Sequence, residues 1–370
     1  MSRRFDELPG LIEAKLAEHA RVALVYFDAF GWRFLERHAD HPLFAGAEVE
    51  RWSSCFPSTT TVHSTTIHSG LPLGRHGLYE WHVFEPRLNR LITPLWFSFA
   101  GDDRPGTLQE AGFSAHDLFP EATLYRRLLP LPSHVAMPSG IARSETSRRL
   151  LAPATVHAFD DNAEGLARLC DALAAEERAY GTIYFGDADA LMHMVGPDAP
   201  EVAALVEENL TAIASASWPE GTLVMLTADH GMEGISPEQT TYVNVAWPEL
   251  ADHMEVGGDG KPLAPAGSCR DLFLHVRAER LDEVEARLGD LLADVAEVRK
   301  VEALLDDGLF GSNITEALTS RLANLVVLPV PGQAAYWLEP GRFEQPFYGQ
   351  HGGLTANEME IPLASWIACG

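Results

Sequence analysis

Three short apolar runs in this chain each lead into an aspartate, and that pattern restricts the fold more than any other feature. Val22 to Phe27 ends at Asp28, Thr182 to Phe185 leads to Asp189, and Leu223 to Thr227 leads to Asp229. Continuous apolar runs of this length read as strands buried on both faces, the habit of a parallel sheet covered by helices. Between the last two runs, Val202, Leu205, Leu210 and Ile213 repeat at helical spacing and complete a β-α-β unit. The expected fold class is therefore α/β, a mostly parallel sheet sandwiched by helices. Open sheets of this kind place their sites beyond the carboxyl ends of the strands. The three aspartates are thus expected at one edge.

The whole chain narrows the partners. Its 370 residues suffice for one large α/β domain with an insertion. A formal net charge of −26 lacks the basic footprint that a nucleic-acid polymer requires. No run has the length of a membrane span, and the Met1–Leu16 segment holds no apolar stretch of signal-peptide length. Cys55, Cys170, Cys269 and Cys369 are scattered and form no C-x-x-C pair. They read as reduced thiols, so a cytoplasmic protein with no membrane partner is expected. Nothing in the sequence specifies an oligomeric state.

The segment 233–340 has a different texture. Leu272 to Val276 and Leu325 to Leu328 read as strands, and Leu281, Val284, Leu288, Leu291, Leu292 and Val295 as one amphipathic helix. A core formed by 1–232 and 341–370, interrupted by a small α+β cap at 233–340, is the expected division. Residues 257–267, GGDGKPLAPAG, read as a loop at the cap's edge. Residues 102–160 are rich in Arg, Pro and Ser, give no clear periodicity, and read as an excursion from the core.

The chemistry-bearing residues fall on or near the strand ends. Asp189 and His193 are four apart, so on a helical turn they face the same way and can share an ion. Asp229-His230 precedes Gly231, and His351 precedes Gly352-Gly353, where backbone can approach a ligand closely. Singly, each has an ordinary explanation, such as a helix cap for Asp229 or a glycine turn for His351. Together with Asp28 they supply carboxylates and imidazoles for two divalent metal ions. Zinc suits this ligand mixture best, and manganese or iron accept the same ligands. The hydroxyl-rich segment CFPSTTTVHSTTIHSG adds Thr60, whose oxygen beside such an ion can act as a nucleophile. Its opening imitates the sulfatase signature, but Thr59 stands where that motif needs arginine and Phe56 where it needs a small residue. Cys55 is therefore assigned to packing.

These segments carry a resemblance. Phe56-Pro57, Thr60, Ser69 to Gly77 (SGLPLGRHG), Asp28, GDADALMHMVGP, TADHG and QHGGLTANEMEIPL resemble, in order, the alkaline phosphatase superfamily. Within it, the chain is most similar to the type I phosphodiesterase/nucleotide pyrophosphatase family. The match covers most of the chain outside 102–160 and the cap. The resemblance implies that Asp189, His193 and His351 hold one metal and that Asp28, Asp229 and His230 hold the other, which also contacts Thr60. It implies hydrolysis of a small phosphodiester, a nucleotide among the candidates, through a phosphothreonine. Thr61 and His63 are the expected substrate-binding residues, with His63 standing where the family's diesterases are expected to carry a phosphoryl-binding asparagine. An imidazole can donate in its place. A phosphomonoesterase, with Arg270 or an arginine of 102–160 holding the extra charge, and a phosphonate hydrolase are alternatives on the same site. A catalytically silent binding protein is a further alternative. His68, His76 and His82 are expected to be structural, and Tyr125, Tyr242 and Trp247 to be packing residues.

Overall fold

The computed structural model describes residues 3–369, so Met1, Ser2 and Gly370, at the ends of the expected core, lie outside the described residues. Seven strands form the central sheet: β1 (Arg21–Phe27), β2 (Glu48–Ser53), β3 (Ser133–Pro138), β4 (Thr155–Phe159), β5 (Ala179–Phe185), β6 (Leu223–Thr227) and β7 (Glu360–Ile367). Their order is β2-β7-β6-β1-β5-β3-β4. Only β7 runs against its neighbours; the pairs β1–β5, β1–β6, β3–β5 and β3–β4 are parallel. This is the mostly parallel sheet expected, and β1 at its middle is buried along almost its whole length. The helices used below are α1 (Thr60–Ser69), α2 (Asn162–Ala174), α3 (Asp187–Val195) and α4 (Pro200–Ser215).

Two sequence expectations are corrected. The 102–160 stretch is not outside the core, because it contributes β3 and β4 to one edge of the sheet. These strands carry Ser133, His134, Thr155 and His157 and lack the uninterrupted apolar run of a central strand, so periodicity does not expose them. Strand β5 begins at Ala179 rather than Thr182. Gly181, a poor strand former, masks the start. A side chain there would come within 3.0–3.1 Å of Leu169 and Leu173, so the glycine lets α2 pack closely on the sheet.

Between Asp229-His230 and His351 the chain builds a second, antiparallel sheet. Its order is Ala266–Gly267, Leu272–Leu274, Leu325–Pro329, Ala296–Lys300. The helix expected to reach Val295 ends at Leu291, where the chain turns into the last of these strands, and the strand expected to reach Val276 ends at Leu274. The Gly267 amide donates to His82 O at 2.8 Å, so residues from before the segment join it. Apolar packing is continuous from the central sheet into this one. All four cysteines are free thiols, three of them buried. Among the described residues, no helix is long and apolar enough to cross a membrane.

Candidate metal centre

The register of the central strands brings the predicted ligands together. Tyr26 of β1 pairs with Tyr184 of β5 and with Thr227 of β6, so the three strands end level and release Asp28, α3 with Asp189, and Asp229 at one edge. Asp28, Asp229 and His230 present ligand atoms within 4.8 Å of one another, and so do Asp189, His230 and His351. His193 completes the second cluster, its Nε2 3.5 Å from Asp189 Oδ2. All six predicted carboxylate and imidazole residues therefore converge. His230 lies at the junction, its ring stacked on that of His351 with centroids 3.7 Å apart.

Backbone contacts set the tautomer of each imidazole. Nδ1 of His193 lies 2.7 Å from Gly349 O, Nδ1 of His230 2.9 Å from Gly231 O, and Nδ1 of His351 2.9 Å from Ser58 O. A carbonyl only accepts, so each Nδ1 carries the proton and each Nε2 lone pair faces the cluster. That is the arrangement seen around metal-ligating histidines. Burial keeps two rings uncharged, holding His230 down to about 4 and His351 to about 3.

The carboxylates show the complementary strain. Burial, then Asp229 and Asp189, push the Asp28 carboxyl well above its ordinary range, and burial raises Asp229 as well. Asp189 is also penalised by burial, but His193, followed by His351 and His230, pulls it below the usual range. Asp28 Oδ1 and Asp189 Oδ1 are buried and accept no hydrogen bond. Orphaned carboxylate oxygens facing imidazole lone pairs form a donor set that suits divalent cations of the zinc type.

Two tyrosines that sequence reasoning missed hold the Asp28–Asp229 cluster in place. The Tyr184 hydroxyl donates to Asp28 Oδ2, and the Tyr26 hydroxyl donates to Asp229 Oδ2 at 3.0 Å. Asp229 Oδ1 also accepts the amides of Ala29 at 3.2 Å and His230 at 3.0 Å. A signal existed for one of them. Tyr26 lies two residues before Asp28, and strand alternation puts both on one face. Asp187, which competes with Asp189 in the motif, is accounted for elsewhere: it accepts from Asn162 and Asn209.

Thr60 opens α1 and is half-buried, its Oγ1 3.2 Å from His230 Nε2 and 3.4 Å from Asp28 Oδ2. The His63 amide donates to Thr59 O at 3.3 Å, so the amides of Thr60, Thr61 and Val62 are the free donors of the helix start. Free amides at a helix start favour an anion, and these lie beside the Thr60 hydroxyl.

The structure separates the remaining expectations. His63 is corrected: it is fully buried, its Nδ1 donates to Thr59 O at 2.7 Å, and its Nε2 accepts from Cys55 N at 3.0 Å. Neither ring nitrogen is left for a phosphoryl oxygen. It stands four residues from Thr59, so one helical turn places it against that carbonyl and behind the helix. The Thr61 hydroxyl is buried without a partner, so what this residue offers the centre is its backbone amide. Arg270 is corrected as a substrate ligand, because its guanidinium is fully buried and paired with Glu358 at 3.0 and 3.1 Å. His68, His76 and His82 bond Tyr125, Thr66 and Thr93, and Tyr125 and Trp247 are core residues, as expected. The Tyr242 hydroxyl accepts from Gln345 N.

Comparison with known proteins bears on the family and the fold. A model of the type I phosphodiesterase/nucleotide pyrophosphatase family matches residues 22–353. Human ectonucleotide pyrophosphatase/phosphodiesterase family member 5 is 22% identical over 250 residues, 60% of this chain and 47% of the relative. The chain thus spans about half the length of that relative. The solved structure of human ectonucleotide pyrophosphatase/phosphodiesterase 5 superposes with a TM-score of 0.67 at 20% identity, covering 93% of this chain and 87% of that one. An inactive form of the murine protein in complex with AMP gives 0.64 at 20%, with coverage of 93% and 87%. Phosphonoacetate hydrolase from Sinorhizobium meliloti 1021, in complex with phosphonoformate, gives 0.61 at 16%, covering 94% and 90%. These likenesses show a shared fold. With the family model spanning the strand-end aspartates, the nucleophile helix and the His351 loop, the chain belongs to the type I phosphodiesterase/nucleotide pyrophosphatase family.

Proposed function

We propose that this protein is a two-metal-dependent phosphodiesterase that hydrolyses a small phosphodiester, such as a nucleotide derivative, through a phosphothreonine at Thr60. One observation carries the reading: the Thr60 hydroxyl sits at a helix start, within 3.4 Å of both Asp28 and His230, inside a cluster of orphaned carboxylates and oriented imidazoles. Family membership and the AMP complex of the murine relative support a phosphate-ester substrate.

Asp189, His193 and His351 would hold one divalent cation and Asp28, Asp229 and His230 another, which would supply charge neutralisation and Lewis acidity at the phosphoryl group. Thr60 Oγ1 forms a bond to phosphorus while the bond to the leaving oxygen breaks on the opposite side. The hydroxyl proton departs towards Asp28 Oδ2. The amides of Thr60, Thr61 and Val62 hold the non-bridging oxygens as charge shifts onto them. Water then cleaves the phosphothreonine in line, returning the proton to Thr60 and retaining configuration at phosphorus. Such a transition state depends on positioning and charge stabilisation more than on acid–base groups. The segment 233–340 is read as the cap that shapes substrate access.

Arg270 is engaged by Glu358, which removes the cap residue offered for a monoester's extra charge and favours the diester. The test is the initial rate on bis-p-nitrophenyl phosphate against p-nitrophenyl phosphate, with metal content measured in parallel. The reading expects about two metals per chain and faster diester cleavage. Monoester preference moves the assignment to a phosphatase, and absence of both metal and turnover overturns it.

A further inference from the structure

Outside the ligand cluster, two carboxyl groups face each other in the interior with no cation beside them. Glu80 follows the SGLPLGRHG segment, and Asp271 lies between the first two strands of the second sheet. Both are fully buried. Glu80 Oε1 and Asp271 Oδ1 meet over Gly352, where a Cβ would fall 3.0 Å from the one and 2.7 Å from the other. Yet Glu80 Oε1 and Asp271 Oδ2 have no donor. Two carboxylates cannot bond each other unless one carries a proton. Burial favours that state, raising Glu80 to about 8 and Asp271 in the same direction.

The pair reaches the loop that carries His351. The amide and hydroxyl of Ser268 lie 3.1 and 2.6 Å from Asp271 Oδ1, and the same hydroxyl is 3.1 Å from His351 O. Gly352, at φ +123°, rests on the cluster. A Cβ there would fall 2.7 Å from Asp271 Oδ1, 2.7 Å from Ser268 Oγ and 3.0 Å from Glu80 Oε1. The loop is closed on its other side by Ser58, whose hydroxyl donates to Gly353 O at 2.8 Å. The Ser58 amide also donates to Gly352 O at 3.3 Å, two residues before Thr60.

We propose that Glu80 and Asp271 share one proton and act as positioning residues, clasping the His351–Gly353 loop and the start of the Thr60 helix to the second sheet. The clasp fixes the spacing between the His351 ligand and the nucleophile. It links the segment 233–340 to the chemistry mechanically, without contact with substrate. It rests on the assignment of His351 as a metal ligand made above.

The test compares Glu80→Gln and Asp271→Asn with Glu80→Ala and Ser268→Ala in the full chain, reading zinc per chain, zinc affinity, kcat and KM. An amide supplies an N–H where the shared proton stood, so Glu80→Gln and Asp271→Asn keep two metals and stay within about threefold of wild-type kcat. Glu80→Ala leaves Asp271 Oδ2 with no proton to share, while Oδ1 keeps the Ser268 donors. It lowers affinity at the His351 side by roughly ten- to a hundredfold and kcat with it, leaving KM nearly unchanged. Ser268→Ala, the milder change should Glu80→Ala not fold, lowers the same affinity by about fivefold. The clasp is overturned if Glu80→Ala and Ser268→Ala match wild type. It is equally overturned if the amide variants fall as far as Glu80→Ala while wild type holds a third metal, the pattern of a cation between the carboxylates. His351→Ala separates the two levels. Loss of one metal there with no effect of the clasp variants sinks only the clasp, whereas a metal-free wild type sinks the metal assignment and the clasp together.

Discussion

Replacing Tyr184 with phenylalanine removes one hydroxyl and leaves the ring. Asp28 Oδ2 receives the Tyr184 hydroxyl and, more distantly, Thr60 at 3.4 Å, while Asp28 Oδ1 receives nothing. Tyr184 is therefore the main donor fixing this carboxylate. A hydrogen bond to a charged group contributes about 1.5–3 kcal/mol. Converted at 1.4 kcal/mol per decade, that is roughly a ten- to hundredfold weaker metal site, the range found when partners of ligating carboxylates are removed. Tyr26→Phe is the internal control. Asp229 loses its tyrosine but keeps the amides of Ala29 and His230, so its site should weaken by about fivefold or less. The assay is competition for zinc against a chromophoric chelator at pH 7.5, with thermal stability measured alongside. Equal affinities for Tyr184→Phe and wild type, within about twofold, would refute the view that this hydroxyl orients Asp28 as a ligand. A larger loss in Tyr26→Phe than in Tyr184→Phe would refute the ranking of the two supports.

Further outcomes follow from the same geometry. Thr60→Ala should lower kcat by about three orders of magnitude or more while metal content, measured by mass spectrometry, stays at the wild-type level. Arg270→Met leaves Glu358 buried without its partner. It should cost about 3–5 kcal/mol in urea unfolding, and the surviving folded protein should keep its diester-to-monoester ratio. Stability should also fall in acid. His68, His82 and His275 are held down to about 4 and His76 to about 3 by burial. The unfolded chain then binds the extra protons first, so stability is full above about pH 6.5 and is lost as pH falls towards 4. At about 1–3 kcal/mol for each ring, the urea midpoint should drop clearly between pH 7.5 and pH 5, and a flat profile contradicts the assignment of these rings as neutral core groups.

Much of the centre was legible in the chain itself. Strand β6 runs over Leu223–Thr227 as its apolar run predicts, and Asp229-His230 follows because a buried parallel strand must end at the site edge. The seven candidate positions are marked by residue chemistry and ordered motifs, and the resemblance to the family is what suggests their roles. One failure was a matter of helix geometry and another of a distant partner. His63 lies close to Thr60 in sequence, but one helical turn carries its ring onto Thr59 and Cys55. Arg270 looked like a free cation until its Glu358 partner, 88 residues on, was placed beside it.

The sequence by itself determined that acids and imidazoles would gather at the carboxyl edge of a parallel sheet, because strand hydrophobicity and helical spacing are short-range properties. Only the tertiary structure decided which groups support them. No local pattern marks Tyr184, and its role exists only once burial removes water and leaves the Asp28 carboxyl to take its donor from across the fold.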